Sequence, residues 1–422
     1  MKKIFYGWVV VAAATATYFL AGGTRFGVFG VFLKPISDEF GWTRSATAGA
    51  ASLGSMQGAI EGPVIGVLAD KYGPRKVMWG GFLLAAVGFV VLGFTQSILM
   101  FYIAFVPLIS LGFGAVQLPG QTAVGNWFMR KRSRAFAILT TGFALGGAAL
   151  TPGISWLVEN HGWRTAGLVI GLVVAVVGIG VTFLMRRSPE DSGQLPDGDP
   201  PPDASASLDS DGGTTSGTNE RPGRVEYDFT FKEALATRSF WLLNLGFLLS
   251  QLAVSAVMVH SIPLLSDRGM SAQVAANYVG LSAFWGMAGR ILWGGLGDFV
   301  PKQILLALAV VVQGAGMLAL VAGESPVHLH AFALLYGVGQ GIVPVTFAIR
   351  GEYFGRKAFG TIAGVMQAFQ TIGGVAGPIY AGWAYDLTQS YTFAFTVLAL
   401  ASLVAVVAFV FAPKPGAPKT AA

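Results

Sequence analysis

The segment Gly66-Val67-Leu68-Ala69-Asp70-Lys71-Tyr72-Gly73-Pro74-Arg75-Lys76 sits between two long apolar stretches, and a shorter copy, Gly294-Gly295-Leu296-Gly297-Asp298, recurs in the second half of the chain. The first copy carries an acid, a glycine turn and bases in succession. The second keeps Gly294, Leu296 and Asp298 but has Phe299 and Val300 where the first continues with a base. A basic, glycine-turned loop between apolar spans, repeated once per half, marks a duplicated membrane protein.

Composition agrees. The 422 residues are 54% hydrophobic and 11% charged, whereas soluble domains carry roughly 25% charged residues. Much of this surface therefore cannot face water. The chain has no cysteine, which excludes disulfides and thiolate metal sites. The four histidines, His161, His260, His328 and His330, have no metal-ligand spacing. The net charge of +6 comes from bases in short loops beside apolar spans, a pattern of topology rather than of nucleic-acid binding. No nucleophile–base set, cofactor loop or metal constellation is present, so an enzyme is not expected and no cofactor is implied. Met1-Lys2-Lys3 precedes an apolar run to about Ile36 without a small-residue cleavage site, so the run reads as a first span that stays.

A spanning helix needs about 20 mostly apolar residues. Candidates lie near 6–36, 46–69, 77–95, 98–126, 135–158 and 163–185, then near 239–265, 273–297, 302–322, 327–349, 358–385 and 389–412. Lys2, Lys3, Lys71, Arg75, Lys76, Arg130, Lys131, Arg132, Arg134, Arg186, Arg187, Arg350, Arg356, Lys357, Lys414 and Lys419 all fall on one side. Arg44, Arg164 and Arg268 fall on the other, each with an acid nearby. Positive loops stay inside, which predicts a multi-pass protein of the cell inner (plasma) membrane with both termini cytoplasmic. Between the halves 1–187 and 229–422, residues 188–228 hold ten acids and two bases with few large apolar side chains, the composition of a disordered linker. Thr230-Phe231-Lys232-Glu233 reads as a capping box opening a short helix.

The first loop, at Gly66, Leu68, Asp70, Lys71, Gly73, Arg75 and Lys76, resembles the signature between helices 2 and 3 of the major facilitator superfamily, echoed there between helices 8 and 9. A finer resemblance, to the monocarboxylate transporters and the oxalate:formate antiporters, rests on four stretches. They are Tyr6-Gly7-Trp8 through Gly27–Phe32 and Phe40–Arg44; Gly125-Asn126-Trp127-Phe128 with Arg130-Lys131-Arg132 and Ala135; Phe240-Trp241; and Gly289-Arg290. The resemblance covers both halves and omits the linker. It implies an all-α integral membrane protein of twelve transmembrane helices in two six-helix bundles. Span 4 offers Gln117, Pro119 and Gln121 where many drug exporters of the superfamily carry an arginine, which argues against drug efflux.

Small residues set the packing. Gly54, Gly58, Gly62 and Gly66 recur every four residues, while Gly146-Gly147 with Thr151-Pro152-Gly153 and Gly373-Gly374 with Gly377-Pro378 occupy matching positions of spans 5 and 11. Smooth faces of this kind permit close backbone approach in lipid and suit bundles that rock.

Four ionisable residues fall within spans: Arg25, Glu61, His260 and Arg290. A charge at membrane depth is a functional hypothesis by default. The resemblance gives Arg290 the substrate-binding role, and its planar fork suits a carboxylate. His260, three residues before Pro263, can take a proton or touch substrate, or be an ordinary satisfied interior histidine. Arg25 either draws anions to the outer mouth or pairs with Asp38 or Glu39. Glu61 reads as a salt-bridge or capping residue at the inner gate, and Asp70 with Arg130 and Arg134, beside Arg75, Lys76 and Asp298, as charges locking that gate. Gly286 stands where animal relatives place an aspartate, leaving His260, Asp267 or Arg290 with its bound carboxylate for proton coupling. Gln370, near Gln367, stands where oxalate carriers have a lysine, which favours a monocarboxylate. Phe369 and Tyr336 would give apolar wall, and Gln121 a polar contact. The expected function is transport of lactate- or pyruvate-like monocarboxylates with a proton, in a lipid bilayer and as a monomer. A carboxylate exchanger and, more remotely, a non-transporting membrane sensor are the alternatives.

Overall fold

The structure, a computed structural model, describes residues 5–199, 226–323 and 325–417, leaving aside the side chains at 25–30, 44–48, 51–52, 55 and 272. It is helical throughout, with no strand among the described residues. The first half contains α1 (Gly7–Ala21), α2 (Val28–Phe40), α3 (Arg44–Tyr72), α4 (Pro74–Gly93), α5 (Ile98–Ile103), α6 (Leu111–Trp127), α7 (Arg132–Val173) and α8 (Ile179–Thr182). The second contains α9 (Phe231–Leu235), α10 (Arg238–Asp267), α11 (Ala272–Leu296), α12 (Lys302–Ala322), α13 (Pro326–Gln340), α14 (Val343–Phe354), α15 (Phe359–Thr388) and α16 (Tyr391–Val410). Wider π turns at Gly22–Gly27, Ala104–Ser110 and Val174–Gly178 join helices that run on in nearly the same direction. The long α7 is two rods broken at Gly162, whose φ of 78° interrupts the helical path.

Among the described residues, eight stretches are long and apolar enough to cross a membrane: Gly7–Thr24, Pro74–Gly93, Ile98–Trp127, Arg132–Thr182, Arg238–Asp267, Lys302–Ala322, Pro326–Phe354 and Tyr391–Val410. The long helices α3, α11 and α15 fall outside that set, and each of them meets the opposite half, as do α6, α7 and α14. Across the junction α3 packs on α15 and α7 on α11. Leucine and isoleucine at such a seam would hold the backbones apart, so the sequence uses glycine. A Cβ on Gly66 would lie 2.2 Å from the Gly360 carbonyl oxygen, and one on Gly364 2.1 Å from that of Gly62. The second seam repeats the design with Gly294 against Ala137 and Gly297 against Ser133. In lipid, where apolar burial supplies little drive, contacts this close carry much of the association.

Both seams lie toward one end of the bundle, called here the terminal face because the described chain ends reach it. Tyr6 packs there on Trp127, and Tyr353 donates to the Ala412 carbonyl at 2.9 Å. Farther from that face, α3 and α15 part around an apolar groove of about 500 Å³ lined by Met56, Ala59, Ile372, Val375, Ile379 and Trp383.

The stretch 188–199 departs from the expected disordered linker. It forms two short 3₁₀ turns, Glu190–Ser192 and Pro196–Gly198, docked on the terminal face. The reason is Asp197, whose carboxylate accepts the Met129, Arg130 and Lys131 amides at 3.1, 2.8 and 3.2 Å. At the other end Phe229 donates its amide to the Phe354 carbonyl, and the capping box at Thr230 and Glu233 is formed. The remainder of the linker, 200–225, lies outside the described residues.

Gly66→Val should force the two halves apart at the terminal face. The test introduces a single cysteine at Ser133, buried in that face, in a chain that has none of its own. Thiol labelling there is expected to rise severalfold in the Gly66→Val background, and unchanged labelling would refute the close-contact role of the seam.

Candidate functional site between the halves

The repeated loop acts across the junction. Asp70, at the end of α3, accepts the Gly360 amide at 2.9 Å on one oxygen and both the Thr361 amide and hydroxyl at 2.7 Å on the other. These donors are the unsatisfied first turn of α15, the positive end of its dipole. Asp298 repeats the arrangement in mirror position: it accepts the Ser133 amide at 3.0 Å at the start of α7 and pairs with Arg134 at 3.1 Å. Each half thus caps a helix of the other with its signature aspartate. The expected pairing of Asp70 with Arg130 and Arg134 does not form. Arg134 goes to Asp298, and Arg130 to Asp197 and Asp199. Arg75 lies over the Phe183 ring at 4.8 Å, and Lys76 is exposed.

Other bases close the same face. The fully buried Arg132 donates to the Gly125 and Phe128 carbonyls and, through both terminal nitrogens, to Glu226 at 3.1 and 3.2 Å. Arg356 bridges to the Asn126 carbonyl at 3.0 Å and to Glu190 at 2.9 Å.

Two arginines are held differently. Arg290, on α11, donates through Nη1 to the Thr140 carbonyl of the other half at 3.3 Å, and its Nε has no hydrogen-bond partner. Eight residues separate it from Asp298, a rise of about 12 Å above the terminal face. Arg350 is the surprise. Sequence reading puts it in an inner loop, but α14 continues to Phe354 and carries Arg350 into the interior, 1% exposed. It donates to Gln370 Oε1 at 3.2 Å and the Ala363 carbonyl at 3.5 Å, lies over the Phe347 and Phe247 rings at 5.1 and 5.8 Å, and leaves Nε unpartnered. Among the described residues no carboxylate acts on either guanidinium. The Tyr18 phenol, from the other half, is the neighbouring ionisable group of Arg350 among the described residues. Tyr18 in turn accepts from Gln121 Nε2 at 2.6 Å, while Gln117 Nε2 is buried without a partner. A polar cluster from α1, α6, α14 and α15 results, of which the sequence picked out Gln121 and Gln370 but neither Tyr18 nor Arg350. A signal did exist: Arg350 opens a run, Arg350-Gly351-Glu352-Tyr353-Phe354, whose aromatic residues continue the helical stripe.

The remaining candidates sit elsewhere. His260 is satisfied within the second half: one ring nitrogen meets the Pro378 carbonyl at 3.0 Å and the other the Tyr391 hydroxyl at 3.2 Å. Tyr391 stacks on Tyr385 at 4.3 Å, and Tyr385 hydrogen-bonds Asp267, so His260 and Asp267 belong to one cluster at the end away from the terminal face. Tyr336 is buried in the second half and donates to the Val254 carbonyl at 2.9 Å, and Phe369 packs edge-on against Trp241, so neither joins Arg290 or Arg350 as apolar wall. Glu61 accepts from Gln57 at 3.1 Å and lies against Gly114, well inside α3 rather than at the terminal face. Asp38 pairs with Lys34 and Glu39 with Arg164, and the side chain of Arg25 is outside the described set.

Two helical halves joined by exchanged aspartate caps and glycine seams, with arginines between them that lack acid partners, define a membrane carrier. The chain belongs to the Major Facilitator Superfamily, whose family model matches residues 14–348 and 288–422. Within it the relatives are of monocarboxylate-transporter type. The chain is 28% identical over 399 residues to monocarboxylate transporter 13 of Bos taurus, covering 93% of this chain and 86% of that protein. It is 26% identical over 414 residues to monocarboxylate transporter 2 of Homo sapiens, covering 92% and 81%. In three dimensions it resembles FucP in the outward conformation, with a TM-score of 0.74 at 17% identity over 97% of this chain and 100% of that one. It is a transporter, not an enzyme.

The aspartate caps carry a pH dependence. Burial pushes the Asp70 and Asp298 carboxyls above the usual carboxylate range, against the opposing pull of their amide donors. An acid whose pKa is raised by burial stabilises the buried, closed arrangement below that raised value and loses the contribution as pH rises through it. Spin labels at the exposed positions Lys131 and Lys357 should report longer distances as pH climbs from about 4 toward neutrality. Asp70→Asn, an amide analogue of the protonated acid, should flatten part of that response. Distances that shorten with rising pH would contradict the assignment.

Proposed function

We propose that this protein is a secondary active transporter carrying small monocarboxylates of lactate or pyruvate size together with a proton, by alternating access. The observation that carries the reading is Arg290, an arginine between the halves held by a neutral carbonyl of the opposite half and facing no carboxylate among the described residues. A guanidinium offers paired donors that match a carboxylate, and a carboxylate that takes them from Thr140 would loosen one link across the junction. Binding and rocking are then coupled, because the substrate competes with a contact between the halves. The names of the relatives support the same substrate class.

The topology follows the same line. Twelve crossings arise when α7 counts as two rods about Gly162 and when α3, α11 and α15, less apolar because they line the junction, join the eight apolar stretches. Halves 1–187 and 229–422 are the moving bodies, linked through 188–228. Exposed Arg75, Lys76, Lys131 and Lys357 lie at the terminal face, which the positive-inside rule makes cytoplasmic in a plasma membrane. The arrangement is then open to the outside and closed within, and each monomer is a complete carrier. Proton handling falls to the His260, Tyr391, Tyr385 and Asp267 cluster near the outer end, where the Tyr391 hydroxyl meets one His260 ring nitrogen and the Tyr391 ring stacks on Tyr385.

An anion entering a negative-inside cell is opposed by about 2.3 kcal/mol per 100 mV, which one accompanying proton cancels. Proteoliposomes of the purified protein should therefore take up labelled lactate or pyruvate electroneutrally, faster with an inward proton gradient. Uptake driven by a potential at equal pH would defeat proton symport; uptake that needs internal carboxylate and ignores the gradient would establish an exchanger instead.

Arg290→Ala should abolish uptake and Arg290→Lys impair it severely, since a lysine lacks the planar fork. Leaving a buried carboxylate unpaired costs about 3–5 kcal/mol by analogy with broken buried ion pairs, comparable with millimolar binding at about 4 kcal/mol. Near-normal substrate binding by the alanine variant would remove Arg290 from the site.

A further inference from the structure

Arg350 is a full positive charge with 1% of its surface exposed, no carboxylate acting on it among the described residues, and one buried N–H donor unused. Burying an ion this way is strongly unfavourable unless something else compensates it. Among the described residues, the other fully buried bases do have acids: Arg132 has Glu226 and Lys302 has Glu352. Around Arg350 the surroundings are neutral but polar, and they come from both halves. Gln370 accepts from it, Tyr18 and Gln121 are joined opposite, and Gln117 Nε2 is a second buried donor without a partner. A buried cation with an unused donor of its own, and a second unused donor on Gln117, whose main-chain carbonyl accepts from Tyr18, suit a carboxylate.

The position indicates when such a group would arrive. Arg350 lies over Phe347, and Phe347 meets Phe136 of the other half edge-on at 5.5 Å. Phe136 is one turn of α7 closer to the terminal face than Thr140, the residue that holds Arg290. The Phe136–Phe347 contact therefore joins the two halves between the level of Thr140 and the terminal face. Parting the halves at that face separates the two rings and uncovers Arg350 from the inner side.

We infer that Arg350, with Gln370, Gln117 and Tyr18, forms a second carboxylate-binding station behind the Phe136–Phe347 contact, which the substrate anion occupies when the terminal face opens. This rests on the carboxylate reading of the carrier but not on Arg290 itself. In the open state an anion and water would compensate the charge that the closed state leaves without an acid. The station also gives the two directions of transport different binding groups.

The test measures carboxylate KM separately from each side, with right-side-out and inside-out vesicles, for the parent, Arg350→Gln, Arg350→Lys and Gln117→Leu, and scores transport itself in Arg290→Ala. Arg350→Gln should raise KM from the terminal side at least tenfold while changing KM from the opposite side less than threefold, and Arg350→Lys should recover part of the loss. Gln117→Leu, which leaves the buried charge in place, should shift KM on the terminal side in the same sense and provides the reading if Arg350→Gln fails to reach the membrane. Equal effects on both sides would mean that Arg350 is only structural, and no effect on either side would mean that it binds nothing; each overturns the inference. Arg290→Ala separates the two claims. Its loss of transport alongside a symmetric Arg350→Gln defect sinks the second station alone, whereas transport surviving in Arg290→Ala sinks the primary site whatever Arg350 does.

Discussion

An ionised side chain removed from water needs an opposite charge or a full set of hydrogen bonds, and this demand sorts the charged residues of the protein into two groups. At the terminal face it is met within the protein. Asp70 and Asp298 spend their oxygens on the free amides of helices in the opposite half, and Arg130, Arg132, Arg134 and Arg356 all find carboxylates. Deeper between the halves it is not met: Arg290 and Arg350 have neutral acceptors and an unpartnered Nε each. Satisfied charges hold the halves together, and unsatisfied ones are available to a ligand.

The two groups are mechanically connected. The aspartate caps act only while α3 meets α15 and α7 meets α11, and those approaches exist only because glycines at 62, 66, 360, 364, 294 and 297 allow backbone contact. Closure is therefore all-or-none: a cap without the seam lacks reach, and a seam without the cap leaves helix ends and carboxylates unpaired. In the proposed mechanism, such bistable contacts would convert binding at Arg290 into a rigid-body change.

Much of this was legible in the sequence because it depends on repetition. The loop at Gly66–Lys76 and its copy at Gly294–Asp298 marked the duplication and singled out Asp70 and Asp298, though as gate charges rather than helix caps, and the glycines at 54, 58, 62 and 66 marked one helix face for close packing. What the loop could not reveal was its partner. Bases at Arg130 and Arg134 looked like natural counter-ions for Asp70, but a helix N-terminus in the other half supplies better-aligned donors, and only the assembled fold shows which helix starts there. Arg350 was missed for another reason. Hydropathy falls near the end of α14, so the arginine reads as loop, yet the helix persists through Phe354 and turns the side chain inward. The acidic 188–199 segment was read by composition alone, which does not register that Asp197 fits three amides at once. His260 illustrates the opposite limit: its place in a span was clear, but its two ring partners come from α15 and α16 and had no sequence signal.

The central claim is that a substrate carboxylate replaces the Thr140 carbonyl on Arg290. The most direct test is an experimental structure of the purified carrier with and without a bound small monocarboxylate. The account predicts ligand density within hydrogen-bonding distance of the Arg290 guanidinium, with the Thr140 contact broken in the bound form alone. Density elsewhere, or a ligand-bound carrier in which Arg290 still donates to Thr140, would contradict it.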